Sequence, residues 1–216
     1  MIRLRSENAA QKAAELLKKP GAVLLVPTET VYGLVCRYGD RDAEERIYRM
    51  KHRDSAKRLG CFIRGLEQLP ELRPAGQVRL LVEKYCPGPL TIVAEKSDGN
   101  TIGFRIPDHP FLQELLARTG FVLAQTSANR SGRPNVRSAD EALAELCEKP
   151  DMVVDGGVIP PDAQASTVVD ASGGDLRILR QGKLVIAEIA SPDDAHFPCS
   201  GERAAAAPVG STPGKK

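Results

Sequence analysis

Five short stretches of the chain concentrate side chains able to do chemistry. Lys51-His52-Arg53-Asp54-Ser55-Ala56-Lys57-Arg58 holds four permanent cations in eight residues. Such a run is either the solvated end of a helix or a clamp for a polyphosphate, with lysine as point charge and arginine as forked donor. Thr101-Ile102-Gly103-Phe104-Arg105-Ile106-Pro107-Asp108-His109-Pro110 places Arg105 inside an apolar strand. A cation there needs a partner, because an unpaired buried charge is costly. The partner is either an internal carboxylate or the carboxylate of a ligand held in bidentate geometry. His109, in the turn that follows, is given a structural role, since nothing beside it supplies a nucleophile. Gln125-Thr126-Ser127-Ala128-Asn129-Arg130-Ser131-Gly132-Arg133-Pro134 is a buried strand breaking into hydroxyl and amide groups, which suit phosphate oxygens or make an ordinary polar turn. Ala165-Ser166-Thr167-Val168-Val169-Asp170 leads to Ile178-Leu179-Arg180-Gln181-Gly182. The fifth stretch, Thr28-Glu29-Thr30-Val31-Tyr32-Gly33, follows the apolar run Ala22–Val26 and is stopped from continuing it by Pro27. A buried strand that ends in a polar, glycine-closed turn is where open α/β sheets hold ligands.

Elements must exist to position these groups. Residues 6–19 are predicted as a helix capped by Ser6, with Ala9, Ala13, Leu16 and Leu17 on one face. A second helix is predicted from Asp42, with Glu45 completing a capping box and Ala43, Ile47 and Met50 as its apolar stripe. Leu59–Ile63 is a predicted strand. Val78, Leu81, Val82 and Tyr85 mark a third helix, ended by Pro87-Gly88-Pro89. Leu90–Ala94 and Thr101–Ile106 are predicted strands, Phe111–Arg118 a short helix, Phe121–Ala124 a buried strand. Ser138 and Glu141 form a capping-box pattern ahead of Ala142, Leu143 and Leu146, and Thr167–Asp170 with Leu176–Leu179 reads as a hairpin. Strand links alternate between helical crossovers and short turns. The fold class expected is α/β (α+β), a twisted open sheet of mixed parallel and antiparallel strands flanked by helices. Residues 1–190 form the expected catalytic domain. From about Ser191 little remains to bury, so 191–216 is expected to be a disordered tail.

The formal net charge of +2 over 216 residues argues against a general polyanion binder, so any basic site must be local. Five dispersed cysteines without a C-x-x-C pair indicate neither zinc nor a disulfide framework, and isolated thiols fit a reducing cytosol. No run of about 18 apolar residues and no signal-peptide pattern is present. A cytoplasmic protein with no membrane partner and no protein-held metal is the expectation.

The motifs together resemble one family. Pro-Thr-Glu-Thr-Val-Tyr-Gly-Leu (27–34), Lys-x-Arg (51–53), Pro-Gly-Pro-Leu-Thr (87–91), Arg-x-Pro-x-His (105–109), Ser-Ala-Asn-x-Ser-Gly (127–132), Ser-Thr-Val-Val-Asp (166–170) and Leu-Arg-x-Gly (179–182) occur in the order seen in L-threonylcarbamoyladenylate synthases of YrdC-like fold, short single-domain form. The resemblance spans about residues 8 to 186. It implies synthesis of threonylcarbamoyl-AMP and pyrophosphate from L-threonine, bicarbonate (or CO2) and ATP, with Mg2+ accompanying the triphosphate. A downstream tRNA threonylcarbamoyl transferase would then modify adenosine 37 of tRNAs reading ANN codons. It implies that Arg53, Lys57, Thr101, Ser127, Asn135 and Arg180 face the nucleotide, that Thr30, Arg105, Gln125 and Ser166 surround threonine, and that Lys51 and Asn129 lie near the reacting phosphates, Lys51 and Arg53 being catalytic. Where the family often has Pro-Leu after the basic motif, this chain has Lys57-Arg58-Leu59-Gly60; where it often has a histidine contacting threonine, this chain has Phe62. Two other readings share the fold: an RNA-binding module without synthase activity, with weak RNA binding open in either case, and a carbamoyl-transfer domain of the kind found in longer hydrogenase-maturation proteins.

Overall fold

The computed structural model describes residues 2–4 and 8–186. Its elements run β1 (Ile2–Leu4), α1 (Ala9–Leu17), β2 (Leu24–Val26), β3 (Gly33–Arg37), α2 (Arg41–Lys51), β4 (Gly60–Phe62), α3 (Gly76–Tyr85), β5 (Leu90–Glu95), β6 (Thr101–Arg105), α4 (Pro110–Thr119), β7 (Leu123–Ser127), α5 (Ala139–Glu145), β8 (Met152–Val154), β9 (Thr167–Asp170) and β10 (Arg177–Arg180). The strands form a single sheet in the order β1-β8-β2-β3-β7-β4-β6-β5-β9-β10. Both pairing senses occur: β2 runs parallel to β8 and antiparallel to β3, and β5 parallel to β9 and antiparallel to β6. The mixed open sheet expected from the links is therefore present.

Alternation along the strands divides the core. Val23 and Leu25 pack with Ala43, Ile47 and Met50 of α2 and with Ala139 and Ala142 of α5. Leu24 and Val26 point the other way, to Ala13 and Leu17 of α1 and Leu112, Leu115 and Leu116 of α4. The apolar run at 22–26 is continuous because both of its faces are covered. Ala124 and Cys61, partners across β7 and β4, share the α2 face, where α3 continues the cover through Val78 and Leu81. On the opposite face the α1/α4 core ends at Phe62. Beyond it, β6 presents Thr101, Gly103 and Arg105, while Ile102 and Phe104 turn inward to α3.

Several boundaries differ from the sequence reading. The cap of α2 is Asp40, not Asp42: its carboxylate accepts the Ala43 N–H at 3.2 Å, and Asp42 falls inside the first turn. The helix ends on His52 in the left-handed region (φ 47°). Ser6 lies outside the described residues, as does the tail from 191, and α1 begins after Asn8 with no side-chain cap bond. The strand expected at 121–124 is β7, Leu123–Ser127, so Gln125 and Ser127 belong to the sheet and not to a turn. Gly33 starts a strand where a turn was expected, because Gly33–Arg37 pairs with both β2 and β7. Strands β1 and β8, three residues each, have no counterpart among the elements predicted from the sequence. At α5 the capping box holds: Ser138 Oγ accepts the Glu141 N–H at 3.1 Å.

Tyr32 belongs to the fold and not to the site. Fully buried, its hydroxyl donates to Gly157 O at 2.7 Å and accepts the Gly156 N–H at 2.9 Å. Tyr32→Phe leaves both backbone groups without that partner and is expected to cost about 1–3 kcal/mol in denaturant unfolding. An unchanged midpoint would mean that the bridge carries no stability.

Candidate functional site

A cleft of about 540 Å3 opens over the half of the sheet face that α1 and α4 leave uncovered. Thr91, Val93, Gly103, Arg105, Ser166 and Val168 contribute to its lining, with Gln125 and Ser127 from β7. Register explains the grouping: Val93 pairs with Gly103, Thr91 with Val168, and Phe62 with Arg105, so residues two apart fall on one face.

Arg105, 4% exposed, is held on three sides. Its Nε donates to Glu29 Oε1 at 3.1 Å and to Gly88 O at 3.2 Å, Nη1 donates to Thr30 Oγ at 3.0 Å, and Nη2 lies against Glu29 as an ion pair. The Phe62 ring backs the guanidinium at 5.7 Å. The internal salt bridge that sequence left as one alternative is thus real, and Glu29 is its carboxylate. It does not exhaust the donors: Nη2 has no aligned hydrogen-bond acceptor among the described residues. Nη2, buried from solvent against Glu29, and Nη1, bonded to Thr30, each keep one N–H without an acceptor among the described residues, the pair of donors that a bidentate carboxylate would need. The Pro87-Gly88-Pro89 turn brings the Gly88 carbonyl to Nε, and a Cβ at Gly88 would sit 2.6 Å from Tyr85 O, so only glycine allows that approach. Glu29 Oε1 also accepts the Asp108 N–H at 3.0 Å, tying the turn that carries His109 to the same carboxylate. Burial lowers the His109 pKa.

Two hydroxyl clusters flank the guanidinium. Thr28 Oγ accepts the N–H groups of Thr30 and Val31, donates to Val31 O at 2.7 Å and meets Thr30 Oγ at 2.9 Å. Across the cleft, Arg180 donates to Ser166 O at 2.8 Å and Ser166 Oγ at 3.1 Å, and Ser166 Oγ meets Thr91 Oγ at 2.8 Å. Burial, and then the nearby charge of Arg105, lowers the Arg180 pKa.

The cation-rich end is built differently. Lys51 is 1% exposed at the last turn of α2 and donates to Ser127 O, with Ser127 Oγ at 3.4 Å. No carboxylate pairs with it among the described residues. Burial, and then repulsion from Arg53, brings its pKa from the ordinary 10.5 down to about 7. The solvated helix end is thereby corrected, since Lys51 faces inward. Arg53 lines the cleft while Nε and Nη2 donate to Lys57 O and Arg58 O at 3.0 and 3.1 Å, which fixes the loop after α2.

Of the residues marked in the sequence, Thr30, Arg105, Gln125 and Ser166 line the cleft together, as do Arg53, Ser127, Thr101, Asn135 and Arg180. Three do not. Lys51 stands behind Ser127. Lys57 is exposed on its loop. Asn129 is buried, with Nδ2 donating to Arg130 O and Arg133 O, so it shapes the loop after β7, and its Oδ1 has no partner among the described residues. Sequence reasoning missed Glu29, Thr91, Arg58, Tyr48 and Glu44, all of them at the cleft or, for Glu29, on its central cation. Glu29 and Thr91 stood inside quoted motifs, and Arg58 inside the basic run. Among the described residues no group of three or more His, Cys, Asp or Glu is placed to hold a metal, and no helix is long and apolar enough to cross a membrane.

The Sua5_yciO_yrdC family model, described as Telomere recombination, matches residues 15–182. A mouse protein named threonylcarbamoyl-AMP synthase is 36% identical over 188 residues, covering 80% of this chain and 67% of its own. A putative threonylcarbamoyl-AMP synthase of Methanocaldococcus jannaschii is 29% identical over 196 residues, covering 86% and 93%. The structure of Pyrococcus abyssi Sua5 complexed with L-threonine superposes with a TM-score of 0.74 at 30% identity, over 84% of this chain and 57% of that one. The chain thus spans about two thirds of the mouse relative and little more than half of the Pyrococcus protein.

Lys51 gives a pH test of the cation-rich end. Unfolded, it titrates near 10.5, and folded near 7. Between those values the unfolded chain holds more protons, so this residue's contribution to stability falls as pH drops from 10.5 to 7 and is level below. An anion seated at Ser127 would return the proton. Binding of a triphosphate near pH 8.5 should take up about one proton, read by calorimetry in buffers of different ionisation heat, and near pH 6 about none. Lys51→Met should abolish the uptake. Equal proton release or uptake in both proteins would remove Lys51 from the anion site.

Proposed function

The chain belongs to the Sua5/YciO/YrdC family, and from that premise we propose that it makes L-threonylcarbamoyl-AMP and pyrophosphate from L-threonine, bicarbonate and ATP. The observation that carries the proposal is a pair of buried cations at one cleft, Arg105 in its lining with N–H groups that Glu29 does not take up and Lys51 behind Ser127 with no carboxylate among the described residues: one suited to a carboxylate, the other to phosphates. The activity is assigned to residues 1–190, with 191–216 outside it.

Threonine enters with its carboxylate on the terminal N–H groups of Arg105, between Thr30 and Ser166, with Gln125 beside it. Its amine reacts with bicarbonate to give the carbamate and water. The carbamate oxygen attacks the α-phosphorus of ATP, the bond to the bridging oxygen breaks, and pyrophosphate leaves. Such a transfer depends on position and charge neutralisation more than on a covalent intermediate. Arg53 and Lys51, through Ser127, offset charge on the phosphates; Lys57 reaches them from its loop; Thr101, Asn135 and Arg180 face the rest of the nucleotide. Asn129 acts by holding the loop that follows Ser127. The lining offers a single carboxylate, Glu44, so Mg2+ would enter with the triphosphate and be held mainly by phosphate and water oxygens. The acyl adenylate is a reactive product that a tRNA-modifying transferase would consume, and any RNA contact would be weak and local given the net charge.

The expected result is ATP–pyrophosphate exchange that requires both threonine and bicarbonate. Arg105→Lys should raise the apparent KM for threonine by at least about tenfold and leave that for ATP nearly unchanged, since one ammonium cannot reproduce a two-donor fork. Exchange independent of threonine would refute the proposal, and an Arg105→Lys defect confined to ATP would refute the assignment of the carboxylate site.

A further inference from the structure

We propose that the bare strip of backbone at Gly60 and Gly103 is the subsite for the one-carbon carboxyl group that bicarbonate supplies, with the Gln125 amide as the donor above it. The inference rests on the synthase reading above and names a subsite which that reading leaves open. Its basis is a glycine in the middle of a strand. Gly103 is the central residue of β6. Glycine weakens a strand interior, and it marks a bulge, a special backbone angle or a place where another group comes close. The pairing of β5 with β6 runs without a shift from Ile92–Phe104 to Glu95–Thr101, so there is no bulge. The φ of Gly103 lies outside the left-handed region. A Cβ on it would meet Val93 Cγ2 at 3.7 Å and Thr91 Cγ2 at 3.9 Å, which are ordinary contacts, so the protein itself leaves room for a side chain. The space above is the cleft, and the close approach that remains is that of a ligand.

Strand register identifies the part of the substrate that comes close. Three rows of residues cross the floor of the cleft. In the first, Phe62 pairs with Arg105. In the second, Gln125 pairs with Gly60 and Gly103 with Val93, while the Cys61–Phe104 pair sets Gly60 beside Gly103. In the third, two residues further along β7 and β6, stand Ser127 and Thr101. The middle row thus lies about 7 Å from each of the others, between the carboxylate receptor and the residues at the nucleotide. A carbamate that joins the threonine amine to the α-phosphorus has to cross it. The two glycines give it a flat floor with no Cβ, which suits a planar carboxyl group. Gln125 supplies the polar contact. A Cβ on Gly60 would lie 2.7 Å from Gln125 Nε2, so the amide rests over that glycine. The amide lines the cleft and makes no hydrogen bond among the described residues, which leaves it able to donate to a carbamate oxygen.

The test is a size series at Gly103, with Gly60→Ala beside it. Gly103→Ala should unfold at or above the midpoint of the unaltered protein, since alanine restricts the unfolded chain and its Cβ meets no close atom. In threonine-dependent ATP–pyrophosphate exchange it should raise the apparent KM for bicarbonate by at least about tenfold, and Gly103→Val should raise it further. Calorimetric binding of L-threonine alone and of ATP alone should stay within about twofold. Gly60→Ala displaces the flexible end of Gln125 and should show the same selective loss. It carries the comparison should Gly103→Ala fail to fold, as judged by circular dichroism. Use of bicarbonate equal to that of the unaltered protein would overturn the proposal, as would a loss matched by weaker binding of threonine or ATP on its own. In either case threonine-dependent exchange by the unaltered protein would leave the synthase reading standing. Absence of that exchange would overturn both.

Discussion

The buried ion pair between Arg105 and Glu29 joins three parts of the chain that sequence separates: the turn after β2, the end of β6 and the Pro87-Gly88-Pro89 turn. Removing one partner of such a pair leaves an uncompensated charge and typically costs about 3–5 kcal/mol. The pair is therefore a constraint on the fold before it is a device for binding. It also determines which edge of the guanidinium is spent. Glu29 and Gly88 take Nε, Glu29 stands against Nη2 and Thr30 takes one proton of Nη1, and the remaining terminal N–H groups have no acceptor among the described residues.

The second cation follows the opposite logic. Lys51 is as buried as Arg105 but has no carboxylate partner among the described residues, and burial lowers its pKa. A charge neutralised internally, as on Arg105, is held in one geometry by its partner. A charge left uncompensated, as on Lys51, favours the neutral form until an anion is near, and an anion seated at Ser127 would restore the proton. The two cations thus differ in kind, Arg105 fixed by partners in the cleft lining and Lys51 buried behind Ser127. Between them lie Gln125 and Ser127 of β7, which is why a strand, and not a mobile turn, carries the polar residues there.

Much of this was legible in the sequence, for reasons that can be named. The 22–26 run was readable because a strand covered on both faces shows no alternation, and Arg105 was conspicuous because its neighbours Phe104 and Ile106 are apolar. Its partner was not readable, since Glu29 lies 76 residues away and contact is a property of the sheet order. The strand Gly33–Arg37 was hidden by the glycine that begins it, and β1 and β8 by their length. The burial of Lys51 was legible too: Ala43, Ile47, Met50 and Lys51 fall at i, i+4, i+7 and i+8, so the lysine continues the buried stripe of α2. The capping residue of the same helix was missed by two positions because Asp40 and Asp42 are chemically equivalent and only backbone geometry separates them.

The central claim is that Arg105, oriented by Glu29, receives the carboxylate of the amino-acid substrate. A crystal structure of this chain with L-threonine tests it most directly. The expected result is a carboxylate about 3 Å from the terminal nitrogens of Arg105, in bidentate geometry, with the Glu29 contact intact. Threonine seated elsewhere in the cleft, or a guanidinium that turns its open edge to phosphate while threonine binds without it, would contradict the claim.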